Sequence, residues 1–393
     1  MTNHLISTPT HPLAAAVHPD PYPYYAQLLA QRPLCFDPDL NLWVASSAET
    51  VKAVLTSELC HVRPSAEPIP KALLGSSAAE IFGSLVRMND GALHCPLKSA
   101  ATATLAMVTR DRAKLEAQRW ASELLEDTTP QSIDALMVRL PSFVVGSLLG
   151  LPQDALPRVA QLIGAFARCI APNCPPADLE RDKAAAAELL EIFSASADSS
   201  EGGLLSQLTL ETRRFGLEGQ TLVLANAIGF LFQAYDATAG LIGNTLVQLA
   251  RQPALLERVQ HQLGLLSAVI EEVLRFDPPV QNTRRFVVKG GEIAGQALQS
   301  GDAILVLLAA ANRDPAFNAD PDDFQPARFN RRSFAFGAGV HSCPGEHLAT
   351  GIAEAGVARV LDVGINPHAL LETMTYRASP NARIPVFSRG AAL

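Results

Sequence analysis

The chain has 393 residues, of which 48% are apolar and 18% are charged, and its net charge at pH 7 is -8. This length can bury a large core, and the acidic balance without a long basic run argues against nucleic acid as a partner. The six cysteines are scattered and form no dense disulfide framework, and the start of the sequence has no signal-like pattern. We therefore expect a cytoplasmic protein.

The first elements follow a polar opening. Residues 1–17 are expected to be irregular, and "HPDPYPYYAQLLAQ" then predicts a first helix, because its prolines precede a helical run. The next segment, "NLWVASSAETVKAVL", predicts a strand, a serine cap and a helix.

Helical periodicity dominates from Ala101 to about Leu274. After Pro278, "RRFVVKGGEIAGQALQSGDAILVLLAAANRD" predicts short β-strands, and a last helix is expected from about Pro344 to Val363. No internal repeat or low-complexity linker is present. The pattern predicts one domain over residues 1–393, mainly α with minor β.

The stretch between Glu218 and Arg251 carries Asp236 as its one formally charged side chain, and its length would suffice to cross a membrane. Polar residues such as Asn226 and Asn244 interrupt it, however, and no lysine or arginine bias flanks it. We predict a long helix through the middle of a core and no membrane partner.

The stretch "SFAFGAGVHSCPGEHLA" places Cys343 among glycines. A thiolate that binds a metal needs hydrogen bonds and shelter from water, and Gly337, Gly339 and Gly345 allow backbone amides to fold around the sulfur. Pro344 suits the first turn of the helix that follows. A haem iron is the expected metal, held without covalent attachment because Cys-x-x-Cys-His is absent. The alternative is a glycine-rich turn with a buried free cysteine.

The run Phe336-Gly337-x-Gly339-x-His341-x-Cys343-x-Gly345 resembles the haem-binding signature of the cytochrome P450 family, soluble bacterial class. The resemblance implies that family's fold, a triangular helical body with a long central helix over the haem and small β-sheets. It implies haem b (iron protoporphyrin IX) as the cofactor and Cys343 as the axial iron ligand. Gly337 and Gly345 would shape the loop, and Phe336 would shield the sulfur from water.

Two further segments carry the resemblance, which extends from about Pro19 to the end of the chain. "AVIEEVLRFDPPV" contains Glu272-x-x-Arg275, and "DPDDFQPARF" supplies Arg328. In the family such residues form a buried Glu-Arg-Arg cluster that stabilises the fold. Taken alone, the Glu-x-x-Arg pattern is an ordinary surface ion pair.

The haem propionates need cationic partners. "NDGALHCPLKSA" resembles the family's His-x-x-x-Arg segment, with Lys98 in place of the arginine. The resemblance implies that His94, Lys98, Arg285 and His341 bind the propionates, with Arg284 as the alternative to Arg285. Lysine keeps the charge but loses the bidentate fork of arginine. His94 has a second interpretation, a histidine near a helix start without a ligand.

The central helix departs from the family pattern. Its "GFLFQAYDATAGLIGN" places residues 233–237 at the family's Ala-Gly-x-Asp/Glu-Thr motif over the haem. Asp236 keeps the acid, but Ala237 stands where threonine is expected. Thr238 lies about 100° further around the helix, so it cannot occupy the same position.

Ala237 has no hydroxyl to position the water that carries protons to the oxygen site. Three accounts remain open: a substrate hydroxyl or an ordered water replaces the threonine, Gln233 replaces it, or the protein uses peroxide. Asp236 is either a proton relay or a structural acid paired with a cation. Gln233 either reaches the oxygen site or is a buried amide bonded to a neighbouring turn.

The resemblance implies an oxidoreductase, a monooxygenase that inserts one atom of O2 into a hydrophobic small molecule, such as a terpenoid, polyketide or fatty-acid-like compound. Electrons would come from NAD(P)H through a separate ferredoxin and ferredoxin reductase, and we expect a monomer. One rival is a peroxide-driven haem oxygenase or peroxidase on the same fold. A second rival is a haem protein that binds a ligand without turnover.

Substrate contacts are expected from the loop Arg63–Asn89, the segment Cys169–Pro176, the central helix and Val280–Thr283. The proline-rich "APNCPPAD" would belong to a lid over the cavity. An electron carrier is expected to dock near Cys343 on basic residues such as Arg331 and Arg332.

Overall fold

The structure, a computed structural model, describes residues 8–171, 174–199 and 202–389. Residues 1–7 and Pro172 and Asn173 of the expected lid lie outside the described residues. The α-helices are α1 (Pro12–Ala15), α2 (Tyr22–Gln31), α3 (Ala48–Thr56), α4 (Ser77–Ser84), α5 (Gly91–Leu105), α6 (Arg110–Leu124), α7 (Pro130–Leu149), α8 (Leu156–Cys169), α9 (Pro176–Ser199), α10 (Leu204–Arg214), α11 (Gln220–Arg251), α12 (Pro253–His261), α13 (Leu266–Phe276), α14 (Leu308–Asn312), α15 (Glu346–Asp362) and α16 (Pro367–Leu370).

Short 3₁₀ helices connect some of these elements, at Lys71–Leu73, Val86–Met88, Gln153–Ala155, Leu263–Leu265 and Gly339–His341. The strands are β1 (Leu34–Asp37), β2 (Leu42–Ala45), β3 (Cys60–His61), β4 (Thr283–Val287), β5 (Gly291–Ile293), β6 (Gln296–Leu298), β7 (Ala303–Val306), β8 (Thr375–Tyr376) and β9 (Pro385–Val386).

The strands form one mixed sheet and two hairpin pairs. The five-stranded sheet has the order β1-β2-β7-β4-β3, in which β2 and β7 are parallel and the other neighbours are antiparallel. The strands β5 and β6 pair with each other, as do β8 and β9. The first strands of the chain thus belong to a sheet that is completed about 260 residues later, where Trp43 pairs with Ile304.

The predicted strand, cap and helix near residue 45 are confirmed. The strand β2 is followed by Ser47, whose hydroxyl accepts a hydrogen bond of 3.2 Å from the Thr50 N–H at the start of α3. The side-chain oxygens of Thr109 and Thr129 cap α6 and α7 in the same way. These caps satisfy backbone donors that the first helical turn leaves free.

The long helix α11 runs through the main core and packs against α4, α7 and α15. Two described helices, α7 and α11, are long and apolar enough to cross a membrane by length and composition. Their most apolar windows are 72% and 61% buried inside the protein, which fits the predicted core helix.

Burial along α11 is interrupted once, in its middle. Residues 223–231 and 238–250 are buried, whereas residues 232–237 are partly exposed. Because this window lies between two buried halves of the helix, its side chains line a recess inside the helical body. The window contains every position of the family motif singled out in the sequence.

Three boundaries differ from the sequence prediction. The short helix α1 lies within the segment expected to be irregular. The expected β-region ends in α14, because its alanine-rich "LAAAN" has high helix propensity. The helix α15 begins at Glu346 and not at Pro344, since Gly345 occupies the N-cap.

Glu272 is the centre of a buried ion cluster that joins α13 to the segment before the loop that carries Cys343, called the cysteine loop below. Its carboxylate lies 2.7 Å from the Arg275 guanidinium, 3.2 Å from Arg328 and 2.9 Å from Arg331, and Glu272 and Arg275 are fully buried. The Gln325 N–H also donates to it. Burial acts to raise the pKa of the Glu272 carboxyl, but these donors, with Arg275 first, hold it below its usual value.

Arg331 was expected to dock an electron carrier, but its side chain is only 15% exposed and pairs with Glu271 and Glu272. Of the two arginines named for docking, Arg332 is the exposed one. Sequence reasoning assigned Arg331 incorrectly because its two acidic partners lie some 60 residues earlier in the chain.

We predict that Glu272→Gln lowers the free energy of unfolding by about 3–5 kcal/mol, because it leaves buried guanidinium groups without their anion. The matched control is Glu271→Gln, next to it on α13, whose side chain is 44% exposed. That variant is expected to cost about 0–1 kcal/mol. Urea unfolding followed by far-ultraviolet circular dichroism measures both, and equal losses would contradict the role of Glu272.

Candidate functional site

The loop that carries Cys343 is held together by its own backbone. The Phe334 carbonyl accepts a hydrogen bond of 2.8 Å from the Gly337 N–H, and the Phe336 carbonyl accepts one of 2.8 Å from the Cys343 N–H. Gly337 and Gly339 both have a φ of +70°, a conformation that side-chain-bearing residues rarely adopt. The two glycines therefore allow the tight path that returns Cys343 to Phe336.

One backbone amide reaches the sulfur directly. The Gly345 N–H donates to the Cys343 Sγ at 3.3 Å. The sequence placed Pro344 in the first turn of the next helix, but Pro344 precedes the N-cap, so it lies outside that turn. The contact to the sulfur comes from the residue after it.

Cys343 lines an interior recess. The residue is exposed, yet burial among protein atoms raises the pKa of its thiol, and the Gly345 N–H, Lys98 and Arg87 act to lower it. Two cationic side chains thus favour the thiolate electrostatically. Lys98 also donates to the Ser342 carbonyl, which fixes α5 against the cysteine loop.

His94 and His341 stack with ring centroids 4.2 Å apart. His94 is 3% exposed and its Nε2 has no hydrogen-bond partner among the described residues. Burial, with His341 and Lys98, lowers the pKa of His94 to about 4, so the ring is neutral near pH 7. A buried Nε2 without a partner is the kind of atom that a bound ligand satisfies.

His341 was expected to meet an acidic group on the ligand, and in the structure its Nε2 lies 2.9 Å from the Asp90 carboxylate. Asp90 also accepts from the Val62 N–H at 3.0 Å. Burial acts to raise the pKa of Asp90, but these hydrogen bonds lower it below its usual value. Sequence reasoning did not single out Asp90, which lies four residues before His94.

Arg285 lies on β4 with 7% of its surface exposed. Its guanidinium donates to the Arg284 carbonyl at 2.8 Å, and no carboxylate lies within ion-pair distance of it among the described residues. Burial lowers its pKa. Arg284, its predicted alternative, is exposed.

These residues fit a dianionic cofactor with a metal that accepts sulfur. The recess offers an anion Lys98 and Arg285 as fixed cations and the unpartnered Nε2 of His94 as a donor. It offers the metal a thiol with one amide donor. The described residues contain no group of three or more histidine, cysteine or acid side chains that would hold a bare metal ion. A planar haem with two propionates matches this donor set.

The partly exposed window of α11 holds the predicted oxygen-site residues. The Gln233 Nε2 donates to the Gly229 carbonyl one turn earlier at 2.9 Å, so its amide donor is engaged locally. Asp236 lies 2.5 Å from the guanidinium of Arg377, which follows β8. Both alternative interpretations from the sequence, a locally bonded amide and an acid paired with a cation, therefore describe the contacts seen in the structure.

Ala237 and Thr238 lie on different sides of the helix. Ala237 is in the exposed window, whereas Thr238 is 1% exposed and its hydroxyl has no partner among the described residues. The structure thus separates Thr238 from the surface of the recess that Ala237 lines.

Arg87 and Arg377 were not singled out in the sequence. Arg377 lies 141 residues after Asp236, and no local sequence pattern predicts the ion pair between them. Arg87 had a weak signal, an isolated cation in the expected substrate loop seven residues before His94.

Comparison with known proteins gives a consistent result. The family description for cytochrome P450 matches residues 219–362. A putative cytochrome P450 133B2 of Xylella fastidiosa (strain 9a5c) is 34% identical over 215 residues, 53% of this chain and 53% of that protein, so the chain matches about half of that relative's length. The 20-oxo-5-O-mycaminosyltylactone 23-monooxygenase of Streptomyces fradiae is 26% identical over 365 residues, 89% of this chain and 84% of that enzyme.

Among solved structures, the crystal structure of CalO2 superposes with a TM-score of 0.81 at 26% identity, covering 98% of this chain and 100% of that one. The fold expected from the resemblance, mainly helical with small sheets, is confirmed.

We predict that Gly339→Ala destabilises the cysteine loop more than its backbone angle alone requires. A Cβ at Gly339 would lie 3.0 Å from the Leu55 carbonyl oxygen, whereas one at Gly295, which has a similar φ of +76°, would meet nothing within 4 Å. Gly295→Ala should cost about 1–2 kcal/mol for the left-handed angle, and Gly339→Ala at least about 1 kcal/mol more. Urea unfolding of both variants checks this, and equal costs would show that α3 does not press on the loop.

Proposed function

The chain belongs to the cytochrome P450 family, and on that premise we propose that it is a haem-thiolate monooxygenase that oxidises a hydrophobic small organic molecule. The observation that carries the proposal is the environment of Cys343. Its sulfur accepts the Gly345 N–H at 3.3 Å and shares a recess with Lys98 and Arg87. These contacts act to lower the pKa of the Cys343 thiol against the burial that raises it. A bound iron would then stabilise the thiolate, the form in which cysteine binds a metal.

Haem, as haem b, would be held without covalent attachment, and the Cys343 sulfur would bind its iron. His94, Lys98 and Arg285 would bind the propionates, while His341 would orient His94 by stacking and remain bonded to Asp90. Gly337 and Gly345 would set the loop's path, and Phe336 would cover the sulfur. When bound, haem supplies the activation of O2 and the transfer of one oxygen atom to the substrate.

The residues of α11 would control the delivery of protons to the recess. Asp236 would carry them toward the recess, and its ion pair with Arg377 would have to open for the carboxylate to accept one. Ala237 leaves space without a hydroxyl, Gln233 has its donor engaged with Gly229, and Thr238 is buried away from the recess. We therefore favour a substrate hydroxyl or an ordered water at the position of the missing threonine.

The proposal also covers the domain organisation, the electron carriers and the substrate class. The whole chain, 1–393, would be a single domain that acts as a cytoplasmic monomer, with electrons from NAD(P)H through a separate ferredoxin and its reductase. The name of the Streptomyces fradiae relative describes a monooxygenase acting on 20-oxo-5-O-mycaminosyltylactone, which supports secondary metabolites as the substrate class. Terpenoid, polyketide and fatty-acid-like compounds are the candidates.

A peroxide-driven oxygenase is the second candidate, and the absence of a hydroxyl at Ala237 favours it. The two functions differ in what drives turnover. A library of hydroxylated and unhydroxylated hydrophobic compounds is first screened for shifts of the haem Soret band. Compounds that bind are then incubated either with NAD(P)H and surrogate carriers or with hydrogen peroxide alone.

We predict that Ala237→Thr raises the yield of product per NAD(P)H about tenfold for binders without a hydroxyl, and changes it little for binders that carry one. The reason is that a hydroxylated substrate already supplies the group that the threonine would add. Equal gains for both classes would contradict substrate assistance. Turnover with peroxide but none with NAD(P)H and carriers would favour the second candidate.

A further inference from the structure

Arg87 is an exposed cation without an anionic partner among the described residues. Among the described residues it has no hydrogen bond or ion pair, and its one close side-chain contact is with the Phe232 ring, whose centroid lies 5.8 Å from the guanidinium carbon. A cation over an aromatic face gains about 0.5–2 kcal/mol. This contact leaves the hydrogen-bond donors of the guanidinium free to bind an anion.

The backbone around Arg87 is fixed to the central helix. Arg87 lies in the 3₁₀ helix Val86–Met88. Asn226, 2% exposed on α11, accepts from the Val86 N–H at 2.8 Å and donates to the Ser84 carbonyl at 2.8 Å. Leu85 packs against Gly229 on the same helix. The position of Arg87 is thus set by buried contacts and not by a loose loop.

The side chain opens to the same recess as Cys343. Arg87 is exposed, yet the protein atoms around it lower its pKa by burial, and the sulfur of Cys343 acts to raise it. Arginine nevertheless remains protonated in proteins. Its aromatic contact, Phe232, is the first residue of the exposed window of α11 and packs edge to face on Phe166 of α8, with centroids 5.6 Å apart. Arg87 therefore lies on the side of the recess lined by the central helix.

The nearby acids are engaged elsewhere. Asp90 accepts from the Val62 N–H and bonds to His341, and Asp236 pairs with Arg377. The two haem propionates already have Lys98, Arg285 and the free Nε2 of His94 as proposed partners. An anion that binds Arg87 would then come from another molecule in the recess.

We propose that Arg87 binds the carboxylate of an organic-acid substrate, whose apolar part packs against Phe232. This inference rests on the proposed function and narrows its substrate class from hydrophobic molecules to hydrophobic acids. A guanidinium suits the task because its planar fork donates two parallel hydrogen bonds to a carboxylate.

The test uses the haem-loaded protein and a panel of saturated fatty acids of different lengths, each with its methyl ester. Dissociation constants are read from the Soret shift. We expect at least one acid to bind the unaltered protein more tightly than its ester. In Arg87→Gln the affinity for that acid should fall by about 10- to 100-fold while the affinity for the ester stays unchanged, since a hydrogen bond to a charged group contributes about 1.5–3 kcal/mol.

The control variant is Arg139→Gln, which removes a guanidinium lying 5.2 Å from the Phe143 ring on α7, away from the recess. It should leave both affinities unchanged. Arg87→Lys keeps the charge and loses the fork, so it should retain part of the acid preference. If Arg87→Gln fails to fold, Arg87→Lys provides the test in its place. An acid preference in Arg87→Lys as large as in the unaltered protein would then overturn the bidentate site.

The rate of haem transfer to apomyoglobin tests whether Arg87 binds a haem propionate and not the substrate. Faster haem loss in Arg87→Gln with an unchanged acid preference would overturn the proposal and assign Arg87 to a propionate. No acid preference in the unaltered protein would also overturn it. The thiolate spectrum of the carbon monoxide complex is recorded for each variant, so a failure of the substrate assignment is distinguished from a failure of the proposed function.

Discussion

The hydrogen bond from the Gly345 N–H to the Cys343 sulfur is the contact on which the rest of the site depends. A buried thiol resists ionisation, and burial does raise the pKa of Cys343. A backbone donor at the sulfur opposes that effect without adding a competing ligand, and a bound metal completes the deprotonation. The loop achieves this geometry through Gly337 and Gly339, whose left-handed angles bring the Cys343 N–H back to the Phe336 carbonyl.

The interior charges of this protein fall into two groups with different physical roles. Glu272 with its three arginines, and Asp277 with Arg383 at 2.9 Å, are compensated within the chain. Such pairs hold segments in register, and they cost stability when one partner is removed.

The second group, Lys98, Arg285 and Arg87, faces the recess without a carboxylate in ion-pair distance among the described residues. A ligand that fills the recess would desolvate these charges, so we expect its anionic groups to bind beside them.

Local patterns in the sequence predicted much of this arrangement. The spacing of glycines around Cys343, the Ser47 cap and the run of apolar residues in α11 each act within a few turns of chain, and each predicted its element. Contacts made across the fold were not predictable in this way. Arg331 pairs with Glu272, and His341 contacts Asp90, because both contacts depend on packing between distant segments. The pairing of Asp236 with Arg377 has the same origin.

The most direct measurement of the central claim is the absorption spectrum of the reduced, haem-loaded protein after addition of carbon monoxide. Iron bonded to the Cys343 sulfur predicts a maximum at about 450 nm, the wavelength recorded in the family's name. Replacement of Cys343 by serine should abolish that maximum while the protein remains folded by circular dichroism. A maximum at clearly shorter wavelength in the unaltered protein, or no retained haem, would contradict the account.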